Sequence, residues 1–387
     1  MLMGEKSAYI LVLAVVSLLG LGIVMLLSTS VFIADRTDIY HDVHRQLVWL
    51  VLGVITCVFF AVIDYRFWNR SRWLWFGLSC MLLVLCFLPP FAQPANGAYR
   101  WIGGGEFGFD FARLQPSEMA KLAVIFMVAG WCSNARECIR EVRAGFIYPL
   151  GIALIPVVLI ACETDMGTAA LLTCVALTML FVAGSRIWLF AGSAVLSVFT
   201  LAFAVIQNPN RWQRFVAFMD LEAHKTGLGL QQWRAKLALG EGGLSGLGLG
   251  EGREKLMYLP FAHTDFIFPM IGEELGARAT LLVVFAFVTV LIFGVLIANS
   301  APDLFGKLLG FGIVTLISIQ AALNIAVTTA VLPNKGLPLP FVSYGGSNLL
   351  FSLAGIGILL NIYRQGSSIK SDETEKLFDR CRAVPRI

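Results

Sequence analysis

ATLLVVFAFVTVLIFGVLIANS, residues 279–300, runs without a single charged side chain. A helix needs ~20 predominantly apolar residues to cross a bilayer core, so this stretch reads as a membrane span. Its apolar character reaches back toward Phe266. Similar runs lie on both sides of it. They cover 7–34, 46–63, 73–88, 117–132, 144–162, 166–185 and 187–207 before it, and 308–332 and 339–363 after it. The 117–132 run is the weakest, because it carries Glu118 and Lys121. With 279–300 the count is ten.

Composition supports the same class. The chain has 387 residues, 58% of them hydrophobic and 14% charged, which is far too apolar for a soluble domain of this length. The net charge of +4 carries no nucleic-acid signature. The eight cysteines (Cys57, Cys80, Cys86, Cys132, Cys138, Cys162, Cys174 and Cys381) form no CxxC pair, and most lie inside apolar runs. They read as small packing side chains rather than as disulfides or zinc ligands. The first run is too long for a signal-peptide core and lacks a cleavage site, so it counts as the first span. The expected architecture is an all-α polytopic membrane protein of ten transmembrane helices. A membrane domain fills 1–366, a large extracytoplasmic loop covers about 207–265 between helices seven and eight, and 367–387 is a short cytoplasmic tail.

Basic residues orient the bundle. Arg66, Arg70, Arg72, Arg136, Arg140, Arg143, Arg186 and Lys307, with the basic tail from Arg364 onward, fall on the face that holds Lys6. The opposite short loops carry fewer, namely Arg36, Arg45, Arg100, Arg113 and Lys335. Positive residues favour the cytoplasmic side, which puts both termini there. Trp49, Trp73 and Trp75 near span ends fit an interfacial aromatic belt.

The outward face collects the unusual residues. Asp265 is followed at once by Phe266, Ile267 and Phe268. A carboxylate at a membrane edge is costly to desolvate and needs a partner or a function. Glu118 and Lys121, at i and i+3 after Pro116 and Ser117, can pair on a helix start or line an outward cavity. Glu163-Thr164-Asp165 forms an acidic turn, either solvated or cation-binding. Pro333, Pro338 and Pro340 with Gly345 and Gly346 bar a regular helix entry around Lys335 and Ser343. Irregular backbone at membrane depth survives only where it is packed in protein or lines a wet cavity. The glycine-rich 240–252 stretch lacks a strand–turn–helix frame and a following Lys-Ser or Lys-Thr. It is no nucleotide loop, and its glycines suit close backbone packing. Of the basic residues near it, Arg253 and Lys255 can meet phosphate, while Arg211, Arg214, Arg234 and Lys236 read mostly as solvated charges.

Five of these stretches together, Asn96 to Ile102, Gln115 to Lys121, Glu163 to Gly167, Phe261 to Gly276 and Gly336 to Ser347, resemble the SEDS family of cell-wall polymerases. The likeness covers nearly all of the chain. Asn334-Lys335-Gly336-Leu337 and the 271–276 stretch resemble the FtsW branch more than the RodA or SpoVE branches. The resemblance implies polymerisation of lipid II into β-1,4 glycan strands at the division septum, with undecaprenyl diphosphate released. It also implies a class B penicillin-binding protein partner (FtsI-like), other divisome membrane proteins, and the bacterial inner membrane. The family's essential aspartate matches Asp265 and a sensitive tryptophan matches Trp101.

Such an inverting transfer needs a base, for which Asp265 is the candidate, and positive charge for the developing diphosphate. Arg100, Lys121 and Lys335 are candidate diphosphate contacts. His263, Glu118 and Ser343 complete the candidate substrate site. A divalent cation (Mg2+ or Mn2+) has candidate ligands in Asp265, Glu163 and Asp165, and no nucleotide is required. Two other readings stay open: a lipid II flippase, and a non-catalytic septal scaffold that recruits the penicillin-binding protein.

Overall fold

A computed structural model of the chain describes residues 2–30, 40–88, 92–95, 98–102, 114–255 and 263–382. Residues 31–34 of the first expected span, Asn96, Gly97, Arg36, Arg113, Phe261 and Ala262 lie outside the described residues. The elements in order are α1 (Leu2–Ser30), α2 (His41–Val62), α3 (Arg66–Arg70), α4 (Arg72–Leu85), β1 (Ala92–Ala95), β2 (Ala98–Ile102) and α5 (Pro116–Asn134). Then follow α6 (Tyr148–Cys162), α7 (Met166–Ala183), α8 (Ile187–Ile206), α9 (Pro209–Met219), α10 (Leu230–Gly242), α11 (Ile267–Asn299), α12 (Leu304–Thr328) and α13 (Gly346–Arg382). A short 3-10 turn and a π-helical turn sit between α5 and α6.

Each stretch expected to span overlaps a helix among the described residues, although the last becomes helical only at Gly346. Among the described residues, seven helical segments are long and apolar enough to cross a membrane on their own: Lys6–Ser30, His41–Val62, Arg143–Cys162, Met166–Ala183, Ile267–Asn299, Leu304–Thr328 and Gly346–Ser367. The chain is therefore a helical, multi-pass membrane protein. Helices α4, α5 and α8 are shorter or more polar.

α5 and α8 mark the centre and the edge of the bundle. From Pro116 to Gly130 every residue of α5 is buried, including Glu118 and Lys121. A helix enclosed on all faces shows no amphipathic stripe, and its two charges are tolerable only as a pair. Helices α4, α6, α7, α12 and α13 pack around it. By contrast, α8 has no buried residue among those described, and Leu196, Val198, Phe199 and Phe203 point outward. That is the expected pattern for a lipid-facing helix.

Two readings need correction. Trp49 does not belong to an interfacial belt: it is buried, with its indole pressed against Gly346 at the start of α13. Trp73 remains exposed and fits one. The stretch after α8 is also more ordered than a polar loop. α9 begins at Pro209 with Asn208 as its cap, and α10 packs along α11. Gln232 of α10 donates to the carbonyls of Val327 and Leu332 at 2.8 and 2.7 Å, closing the C-terminal end of α12. Between 333 and 345 the chain is irregular apart from a turn at 340–342, and the helix begins only at Gly346, as the prolines require.

Candidate active site

One end of the bundle gathers the C-terminal ends of α6 and α12, the N-terminal ends of α7, α11 and α13, and the β1–β2 hairpin. Asp265 sits there, in the turn just before α11. Its main chain is strapped to the irregular 336–345 segment. Ser343 Oγ donates to Thr264 O at 2.5 Å and accepts from Leu339 N at 2.8 Å. The Tyr344 amide donates to His263 O at 3.0 Å, and the two rings lie 5.9 Å apart. Asn324 Nδ2, from α12, donates to Asp265 O at 2.8 Å and to Leu337 O at 2.6 Å.

The Asp265 carboxylate itself receives no hydrogen bond from the described residues. Its Oδ2 lies so close to Gly336 that a Cβ there would be 2.7 Å away, which only glycine permits. Burial pushes the Asp265 carboxyl up to about 6, the Asp165 charge pushes the same way, and Arg100 opposes both. Those three charged groups therefore share one electrostatic neighbourhood, drawn from three separate parts of the chain.

Arg100 comes from β2 and holds the acidic turn by its main chain. Its Nη2 donates to Thr164 O at 2.8 Å and its Nε to Glu163 O at 3.4 Å. The turn is tight enough to hold Thr164 at φ 68°, a left-handed conformation that β-branched residues seldom adopt. Asp165 caps α7 through Thr168 N at 3.2 Å and Thr168 Oγ1 at 2.9 Å. Glu163 is buried, and neither carboxylate oxygen has a hydrogen-bonding nitrogen or oxygen partner among the described residues. Burial and the Asp165 charge push it up to about 8. Trp101 follows Arg100 on the strand, half-buried and on the opposite face.

Lys335 is half-buried, with no ion-pair partner among the described residues. Burial and the nearby Arg211, Arg214 and Arg100 charges lower its pKa, while Asp165 opposes them. The arginines of α9 thus act on this end's electrostatics, although Arg214 is solvent-exposed.

Lys121 and Glu118 lie deeper. They form a buried pair at 2.7 Å, and Lys121 Nζ also donates to Gln320 Oε1 at 2.8 Å. Gln320 in turn donates to Pro338 O at 2.9 Å and Asn348 Oδ1 at 3.0 Å. This ladder links Lys121 to the 336–345 segment, and a small cavity lined by Glu118, Lys121, Gln320 and Phe351 opens beside it. Gln320 and Asn324 were not foreseen. Their signal was present: Gln320, Asn324 and Thr328 repeat at i, i+4 and i+8 inside an apolar span, and all three are buried on one face of α12.

Among the described residues no group of three or more His, Cys, Asp and Glu side chains is poised around one point. The carboxylates of Glu163, Asp165 and Asp265 are hard oxygen donors, suited to Mg2+ or Mn2+ only where one or two of them act with oxygens from a bound substrate.

The family model described as "Cell cycle protein", covering FtsW, RodA and SpoVE, matches residues 9–368. The chain belongs to this family. It is 40% identical over 357 residues to the "Probable peptidoglycan glycosyltransferase FtsW" of Trichlorobacter lovleyi, covering 91% of this chain and 92% of that one. It is 37% identical to the Stage V sporulation protein E of Bacillus subtilis, covering 92% and 96%. Among solved structures it is similar, with a TM-score of 0.73 and 25% identity over 92% of this chain and 97% of the other, to a chain from work on the structural coordination of polymerization and crosslinking by a peptidoglycan synthase complex. The resemblance drawn from five short motifs is thus a family relationship over nearly the whole length.

Proposed function

We propose that this protein is a peptidoglycan glycosyltransferase that polymerises lipid II into β-1,4 glycan strands at the division septum, with Asp265 as general base. The observation that carries this reading is the Asp265 carboxylate. It is desolvated, free of hydrogen bonds from the described residues, and faced by the Arg100 cation, while Lys335 shares the neighbourhood of Arg100 and Asp165. The name of the Trichlorobacter lovleyi relative, a probable peptidoglycan glycosyltransferase, supports the same chemistry.

In this proposal α1, α2, α4, α5, α6, α7, α8, α11, α12 and α13 all cross the inner membrane. The basic loops and both termini face the cytoplasm, and the Asp265 end faces outward. Residues 1–366 form the membrane domain, 207–265 its large outer loop and 367–387 the tail. The partners are a class B penicillin-binding protein and other division proteins of the membrane. The peptidoglycan synthase complex to which the fold is similar supports such an assembly.

The reaction forms one bond and breaks one. The 4-hydroxyl oxygen of one lipid II attacks C1 of the muramyl sugar of another from the side opposite the diphosphate. The C1–oxygen bond to the diphosphate breaks, inverting α to β, and undecaprenyl diphosphate leaves with the electron pair. Asp265 takes the hydroxyl proton as the oxygen attacks; a carboxylate with a pKa about 6 is mostly ionised at neutral pH yet more basic than an ordinary one. Arg100 and Lys335 face the developing diphosphate charge, in a partly dry site where such charge–charge attraction is strong. Lys121 acts through Gln320 on the shape of the 336–345 segment, and Ser343 and His263 hold the Asp265 strap. Trp101 offers an apolar face to the sugars. A Mg2+ or Mn2+ ion, held by one or two of Asp265, Asp165 and Glu163 with substrate phosphate oxygens, would neutralise the leaving group.

The test is to supply lipid II in detergent to the purified protein together with its penicillin-binding partner and to separate the products by length. Glycan strands are expected. Movement of lipid II across liposomes without polymer would make the protein a flippase. Polymer that forms equally well from the partner alone would make it a scaffold.

A further inference from the structure

α11 is not one continuous helix. Gly276 has φ 80° and ψ 179°, a conformation that breaks the helical path and that only glycine adopts without strain. Such a break inside an apolar helix frees main-chain groups that lipid cannot satisfy. Here the glycine-rich stretch after α10 satisfies them. Glu273 O accepts from Leu247 N at 2.9 Å, Glu274 O accepts from Gly248 N at 3.0 Å, and Ala277 N donates to Gly243 O at 2.9 Å. The stretch takes the place of the missing helical turn.

The two side chains at the break grip the same stretch further on. Glu274 accepts from Lys255 Nζ at 2.8 Å, from Gly250 N at 2.9 Å and from Ser28 Oγ of α1 at 2.7 Å. Lys255 Nζ also reaches Ser28 Oγ at 2.9 Å. Glu273 accepts from Arg253 N and from Glu254 N, the latter at 3.0 Å. The Lys255 and Glu274 side chains are 1% and 0% exposed. Nothing in this cluster is open to a ligand.

The consequence lies at the other end of the broken helix. Residues 267–275 form a short helical piece that is separated from the long remainder by the break, and Asp265 sits directly before it. The orientation of that piece is set by what holds the break. We propose that Glu273, Glu274 and Lys255 are positioning residues, forming a joint that mounts the Asp265-bearing piece of α11 on the glycine-rich stretch and on α1. The inference rests on Asp265 being the base, and it adds the device that aims it. A misplacement of ~1 Å in such a group can cost about 100-fold in rate.

The experiment measures lipid II polymerisation by the full-length protein with its partner, comparing the parent with Lys255→Met, Lys255→Arg, Lys255→Met/Glu274→Gln, Ser28→Ala and Asp265→Asn. Each sample is first checked for a single folded species by size-exclusion chromatography and thermal unfolding. The folded Lys255→Met variant is expected to lose about 100-fold in kcat with the KM for lipid II within about twofold. Lys255→Arg should recover most of the rate, and the double variant should lose no more than Lys255→Met, because both remove one joint. If Lys255→Met does not fold, Ser28→Ala, which leaves the ion pair intact, gives the reading through a kcat loss of several-fold at constant KM. A folded Lys255→Met, or in its place Ser28→Ala, that works at the parental kcat overturns the joint, as does a loss confined to KM. Asp265→Asn separates the two ideas: if it polymerises normally, the base assignment falls, whereas an inactive Asp265→Asn beside an active Lys255→Met removes the joint alone.

Discussion

Two clusters in this protein contain the same ingredients, two buried or half-buried acids and a lysine within a few residues of an apolar helix. At the α11 break, Glu273, Glu274 and Lys255 spend nearly every polar atom on the protein. At the Asp265 end, the Asp265 carboxylate and the Lys335 ammonium accept or donate nothing among the described residues, and Glu163 has only the Cys86 thiol beside it. Evolution tolerates an expensive charge when it is fully paired or when it works on something else. The first cluster is of the paired kind; the second leaves the Asp265 and Lys335 charges available to a substrate.

The comparison predicts opposite responses to neutralisation. Asp265→Asn should lower the polymerisation rate by about 10^2 to 10^4-fold, the usual contribution of a general base. It should also raise the thermal unfolding midpoint at pH 7.5. The sign follows from the shift: the folded chain holds the Asp265 proton up to about 6, above the ordinary 3.8, so ionisation opposes folding increasingly as pH rises from 3.8 through about 6. Removing the charge lifts that penalty, and the gain should vanish below pH 3.8. Lys255→Met should do the reverse at the other cluster, lowering stability by about 3–5 kcal/mol, because Glu274 is left buried and uncompensated. Loss of the midpoint in Asp265→Asn, or its preservation in Lys255→Met, would break the comparison.

Smaller effects sharpen it. Gly336→Ala puts a methyl group 2.7 Å from Asp265 Oδ2 and should cost about 10- to 100-fold in rate, through misplacement of the base. Glu163→Gln should keep the rate within about threefold of the parent at pH 7, because an acid pushed up to about 8 is mainly neutral there and the amide copies it. The wild-type protein should go on losing stability as pH rises past 6 to about 8, and Glu163→Gln should lack that upper part of the decline while keeping the Asp265 part, which ends near pH 6. A thermal melt series from pH 5 to pH 9 on both proteins reads the difference.

Much of this was legible in the sequence, for physical reasons. The bilayer demands long uncharged runs, so the spans stood out, down to the irregular entry forced by Pro333, Pro338 and Pro340. Asp265, Arg100 and Lys335 were visible as charges beside apolar or broken backbone. What was not legible depends on distant partners. Nothing at Glu273 and Glu274 announces that Gly243 to Lys255 will fold onto them, nor that Gly276 will break the helix to let them. Lys121 looked like a diphosphate ligand because its neighbour Gln320 lies far along the chain. Trp49 looked interfacial because its position near a span end says nothing of α13 covering it. Gln320 and Asn324 could have been found, since polar residues at helical spacing inside an apolar run are costly without a role.

The central claim is that Asp265 removes the acceptor proton during glycan polymerisation, and the rate against pH tests it most directly. Initial rates of lipid II polymerisation are measured from pH 4.5 to pH 8 for the parent and for Asp265→Asn, at saturating lipid II and with the partner present. The account predicts a parental rate that falls about tenfold per pH unit below about 6, where Asp265 is protonated, and a variant rate at least about 100-fold lower that shows no such limb. An Asp265→Asn protein that polymerises at the parental rate, with the same acid limb, would contradict it.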